Sequence, residues 1–116
     1  MSFRLEFFYR ESLIKKINIK KNVDSSWIIG SGADSDIQIN YKGISKQHIQ
    51  IIQNKNNELF ISDLNSTNGT FLNKKKISSS KIAIGDVINL AGDSGVKIKV
   101  LSKTSSNKKS LNISEL

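Results

Sequence analysis

Three clusters of polar residues carry the chemistry of this chain. They are Ile29-Gly30-Ser31-Gly32, then Ile44-Ser45-Lys46-Gln47-His48, then Asp63-Leu64-Asn65-Ser66-Thr67-Asn68-Gly69-Thr70 followed by Phe71-Leu72-Asn73. Hydroxyls, a lysine and turn amides at three strand ends are what an anion needs. A phosphate carries about −1.5 to −2 charges near neutral pH and three acceptor oxygens, so it demands converging donors. The Ser45 and Thr67 hydroxyls, the Lys46 ammonium and the N–H groups of the turns can supply them. Asn68 has both a donor and an acceptor and so matches the main chain of a bound peptide.

The same residues do not make an enzyme. One histidine, His48, and no cysteine leave no nucleophile–base–orienter set. Asp63 at a strand end reads as a loop organiser, and Asp34, Asp36 and Asp86 show no paired spacing with it. Without cysteine, disulfides and Cys-based zinc sites are excluded. No metal and no cofactor is expected. Ser31-Gly32-Ala33 lacks both the spacing and the following helix of a phosphate-cradling nucleotide loop.

The elements that hold these clusters read as strands. Phe3, Leu5, Phe7 and Tyr9 fall on one face of a strand with Arg4, Glu6 and Arg10 on the other, and Val96, Ile98 and Val100 alternate with Lys97 and Lys99. Ile17/Ile19, Ile37/Ile39, Ile49/Ile51 and Leu59/Ile61 repeat the pattern. Period two with β-branched residues marks half-buried strands. The segments between them, such as Asn54-Lys55-Asn56-Asn57 and Ala91-Gly92-Asp93-Ser94-Gly95, are turn chemistry. The expectation is an all-β sandwich of about ten to eleven mostly antiparallel strands. Loops at one end of such a scaffold are where binding residues gather.

The ordered set Gly30, Ser45-x-x-His48, Asp63-Leu64-x-Ser66-Thr67-Asn68-Gly69-Thr70-x-Leu72-Asn73 and Ile84-Gly85-Asp86-Val87-Ile88 resembles the forkhead-associated (FHA) domain. The resemblance runs from about Phe3 to Leu101. It implies an eleven-stranded FHA/SMAD-like β-sandwich that recognises phosphothreonine in a partner protein, without catalysis. By the same resemblance Ser45, Lys46 and Thr67 sit at the phosphate and Asn68 fixes the peptide backbone. Gly30, His48 and Gly69 hold the loops in shape. The segment Asn40-Tyr41-Lys42-Gly43-Ile44 is the expected reader of residues beside the phosphate. One departure stands out: where the family usually has a phosphate-gripping arginine after the early glycine, this chain has Ser31. That departure keeps a second reading open, a degenerate FHA domain that docks or regulates without phosphate, as the N-terminal part of a larger protein such as a transporter ATPase or another enzyme.

Composition bounds the rest. The chain has 116 residues and a formal net charge of +8, from sixteen lysines and two arginines against ten acids. That length makes one domain of about 100 residues. We place the domain at residues 1–102, with 103–116, rich in Ser, Asn and Lys, as a flexible tail or linker. Apolar runs reach only three residues, against the roughly 20 of a membrane span. Glu6 stands where a signal peptide would begin its apolar stretch. A cytoplasmic protein is expected, with no membrane role for this domain. The basic excess suits acidic partners. Nucleic acid is not the expected primary partner, because the aromatics fall on strand positions rather than on exposed stacking platforms. A threonine-phosphorylated protein or peptide is. The Lys74-Lys75-Lys76 run reads as a solvated loop.

Overall fold

A computed structural model describes residues 2–103. Apart from Lys103, the tail expected at 103–116 lies outside the described residues. Eleven strands follow one another: β1 (Ser2–Tyr9), β2 (Ser12–Ile19), β3 (Ser25–Gly30), β4 (Ile37–Gln38), β5 (Ile49–Gln53), β6 (Leu59–Asp63), β7 (Thr70–Leu72), β8 (Lys75–Lys76), β9 (Ser79–Ile82), β10 (Val87–Leu90) and β11 (Val96–Lys103). They form a six-stranded sheet, ordered β2-β1-β11-β10-β7-β8, and a five-stranded sheet, ordered β4-β3-β5-β6-β9. The expected sandwich is the one observed. All pairings are antiparallel except β3 with β4, which run parallel through Ile29 and Ile37.

The alternation in sequence becomes two inner faces. Phe3, Leu5 and Phe7 from β1 and Val96, Ile98 and Val100 from β11 are buried. Ile49 and Ile51 of β5 and Leu59 and Ile61 of β6 complete the core from the other sheet. Each such side chain contributes about 1.5–3 kcal/mol by leaving water. Most of the buried apolar side chains are isoleucines. Isoleucine has few rotamers to lose and packs well on a pleated surface.

The first hairpin departs from simple alternation. Phe7 opposes Lys15 but Phe8 opposes Leu13, so Ile14 is an extra residue on β2. Such a bulge reverses which face the following residues present. Leu13 is consequently 48% exposed, although it is apolar.

The long-range pairing β1–β11 brings the turn after Tyr9 beside the loop that precedes Val96. Loops 31–36, 39–48, 64–69 and 91–95 therefore gather with the Arg10–Glu11 turn at one end of the sandwich.

Candidate functional site

Gly30 sets how closely two of these loops approach. A Cβ built on it would lie 2.1 Å from the Lys46 carbonyl oxygen and 2.8 Å from that of Ser45. Only glycine allows that contact. The Ser31 N–H then donates to the Ser45 carbonyl at 2.9 Å, and the Gly32 N–H to the Lys46 carbonyl at 3.0 Å. Ser35 adds a hydroxyl bond to the same Lys46 carbonyl at 2.7 Å.

Ser45 joins three loops. Besides accepting from Ser31, it donates its own N–H to His48 Nδ1 at 3.0 Å. Its hydroxyl oxygen accepts the Thr67 N–H at 3.0 Å. With that acceptor bond made, the hydroxyl hydrogen remains free to donate outward. Asn68 Nδ2 donates to the Gly43 carbonyl at 3.0 Å, tying loop 64–69 to loop 39–48. Its Oδ1 and its second N–H remain for a ligand.

His48 is fully buried beneath these contacts. Its Nδ1 faces an N–H and can only accept, so Nε2 carries the hydrogen and donates to the Gly69 carbonyl at 2.9 Å. The Gly69 carbonyl also accepts the Ala91 N–H at 2.9 Å. One imidazole thus braces two loops, and a third hangs from the same carbonyl. Gly69 itself has φ +90°, a conformation that disfavours other residues.

Asp63 shapes the 64–69 loop. Its carboxylate accepts the Ser66 N–H at 3.1 Å, the Ser66 hydroxyl at 2.6 Å and the Thr70 hydroxyl at 2.7 Å. Burial works to raise its pKa, but the hydrogen bonds from Ser66 and Thr70 prevail and hold it below the usual carboxylate range. Ser66 in turn accepts the Gly69 N–H at 3.0 Å. The sequence reading assigned Ser66 no role of its own. The signal was the Asp-x-x-Ser spacing, which favours such side-chain-to-backbone turns.

The geometry joins Ser45 to Thr67 directly, places Asn68 next to them, and attaches Ser31 through its backbone. Lys46 is exposed beside Gly32 and makes no ion pair among the described residues. The expected turn donors divide into engaged and unengaged groups. The turn N–H groups of Ser31, Gly32, Ser45, Thr67 and Gly69 are all engaged within the protein. The donors with no partner among the described residues are the hydroxyls of Ser31 and Thr67, the hydroxyl hydrogen of Ser45, the Lys46 ammonium, the second N–H of the Asn68 amide, and the backbone N–H groups of Lys46 and Asn68. Arg10, just after β1, shares a cleft with Lys42 and Asn68, a proximity that comes from sheet pairing and leaves no local sequence signal.

Comparison with known proteins agrees with this architecture. The family model of the FHA domain matches residues 27–91. FhaA, an FHA domain-containing protein of Mycobacterium tuberculosis, is 39% identical over 67 residues, which cover 58% of this chain and 12% of that relative. The chain thus spans only a small part of that relative's length. The FhaA FHA domain complexed with the intracellular domain of Rv3910 superposes with a TM-score of 0.70 at 30% identity, covering 85% of this chain and 99% of that one. A domain from a study of phosphothreonine-dependent FHA domain interactions gives a TM-score of 0.72 at 28% identity, covering 90% and 99%. The FHA domain of the CT664 protein from Chlamydia trachomatis shares the fold with a TM-score of 0.76 at 24% identity, covering 90% and 100%.

Proposed function

This chain belongs to the FHA domain family, and on that premise we propose that it is a protein-interaction module that captures a phosphothreonine segment of a partner in signalling or regulation. The observation that carries the proposal is the hydrogen-bonded convergence of Ser45, Thr67 and Asn68 at one end of the sandwich. The FhaA FHA domain was solved with the intracellular domain of a partner protein, and another relative is described by its phosphothreonine-dependent interactions.

In the proposed mechanism, the Ser45 and Thr67 hydroxyls donate to the phosphate oxygens. Lys46 supplies a full positive charge, and Ser31 adds a third hydroxyl from the opposite loop. Asn68, oriented by its bond to Gly43, pairs with the main chain of the partner. The protein performs no bond-making. Affinity comes from charge-assisted hydrogen bonds, each worth about 1.5–3 kcal/mol. Specificity comes from a rigid loop frame, set by Gly30, His48, Asp63 and Gly69, that holds the donors at fixed separations.

A phosphothreonine peptide library, run beside unphosphorylated and phosphoserine versions, tests this. Selective retention of phosphothreonine is the expected result. Equal or absent retention of all three would refute it. A second reading is favoured by one observation: Ser31 offers a hydroxyl where relatives usually offer a guanidinium fork, and lysine is a point charge that does not replace one. In that reading the same loops dock a partner without phosphate, within a longer protein, and the library gives equal retention.

A further inference from the structure

The loop end carries a second basic feature beside the proposed phosphate donors. An open cleft of about 360 Å³ is lined by Tyr9, Arg10, Lys42, Gly43, Asn68 and Ser94, among others. No acidic side chain lines it. Neither Arg10 nor Lys42 makes an ion pair among the described residues. Two cations thus face one cleft uncompensated, and one wall of that cleft is Asn68, the residue proposed to order the partner's backbone.

The Arg10 position is also built in an unusual way. Arg10 and Glu11 have φ of 49° and 68°. These are the two central positions of a two-residue hairpin, where Asn-Gly is the ordinary choice. A long side chain with a Cβ is disfavoured there. The guanidinium carbon lies 5.3 Å from the centre of the Tyr9 ring, a cation–π contact that limits its freedom. Tyr9 is in turn packed on Tyr41, with ring centroids 4.6 Å apart, next to Lys42 in sequence. The two tyrosines therefore tie the hairpin that carries Arg10 to the loop that carries Lys42. Glu11 and Asp93 line a neighbouring cleft together with Arg10, but neither comes within ion-pair distance of it.

We propose that Arg10 and Lys42 form an anion subsite beside Asn68, which selects partners bearing an acidic side chain close to the phosphothreonine. The inference rests on the phosphothreonine reading above and adds the chemistry of the flanking residue. A carboxylate fits a guanidinium through two parallel N–H bonds, and so does a second phosphate. The cleft is open, so the gain is that of a partly exposed pair and falls with salt.

The test compares phosphothreonine peptides whose neighbours are all alanine with peptides carrying Asp, Glu or phosphoserine at each nearby position, each also made with unphosphorylated threonine. Binding is measured at near-physiological salt to the wild type and to an Arg10→Gln/Lys42→Gln variant. An anionic neighbour at one position is expected to tighten wild-type binding about fivefold to tenfold. In the double variant that preference shrinks to within about twofold, while the alanine-flanked peptide loses no more than about threefold. Preference for Asp and Glu identifies a carboxylate ligand, and preference for phosphoserine alone identifies a second phosphate. Equal binding of acidic and neutral peptides overturns the subsite and leaves the phosphothreonine reading standing. A preference that survives the double variant also overturns it. An acidic preference that depends on Arg10 and Lys42 but not on phosphothreonine sustains the subsite and refutes the phosphothreonine reading. Failure to bind any peptide overturns both.

Discussion

His48 Nδ1 accepts the Ser45 N–H across 3.0 Å, fixing a buried imidazole directly under the residue proposed to meet the phosphate. The ring's other nitrogen donates to Gly69. The imidazole therefore works as a strut between loops.

His48→Ala removes both bonds and leaves a cavity. A buried group stranded without its partner costs about 1–3 kcal/mol, so the variant is expected to lose about 2–4 kcal/mol of stability. Urea denaturation measures this. A loss below about 1 kcal/mol would show that water or loop movement replaces the strut.

Gly30→Ala is expected to separate the end of β3 from the Ser45–Lys46 segment. The added methyl would meet the Lys46 carbonyl oxygen at 2.1 Å and backbone atoms cannot yield cheaply. Overpacking of this kind costs about 1–3 kcal/mol. Amide spectra should show changes in residues 30–32 and 45–48. An undisturbed spectrum and unchanged stability would contradict the close approach.

Asp63 makes stability depend on acid. Burial opposes its ionisation, but the hydrogen bonds from Ser66 and Thr70 prevail and lower its folded pKa. A lowered carboxylate pKa gives stability that is fully present above the ordinary value of about 3.9 and is lost as pH falls through the folded value. Asp63→Asn should reduce stability at neutral pH and flatten its decline below about pH 4. Parallel pH profiles for the two proteins would remove Asp63 from this role.

Ser31→Arg restores a guanidinium fork at the position facing Ser45 across the loops. If the phosphate sits there, the variant should bind a phosphothreonine peptide about 10- to 100-fold more tightly, as one or two charge-assisted bonds are added. Fluorescence anisotropy reads the change. Unchanged affinity for the phosphorylated peptide would place its phosphate elsewhere.

Much of this molecule was legible in the sequence because strand burial has a period of two. Phe3, Leu5 and Phe7, or Val96, Ile98 and Val100, declare their face locally. The ordered Ser45-x-x-His48 and Thr67-Asn68-Gly69-Thr70 pieces carried the family resemblance, and the FHA match at residues 27–91 includes both. The Ile14 bulge was not legible, because an extra residue in a strand changes the register without altering composition.

The amino-acid sequence by itself determined the strands with apolar alternation and the sandwich class, since these follow from local periodicity and turn chemistry. Lys75–Lys76, read as loop, form the short strand β8 because pairing with β7, not periodicity, makes them one. Tertiary structure decided which donors are free. The turn amides of Ser31, Gly32, Ser45, Thr67 and Gly69 are engaged by partners that, in three of these five cases, lie more than ten residues away. It also brought Arg10 to Lys42 and Asn68. That meeting depends on β1 pairing with β11, strands more than eighty residues apart in the chain. The physical reason is the same in both cases. A hydrogen bond or a charge contact is set by distance in space, which the pairing of remote strands determines.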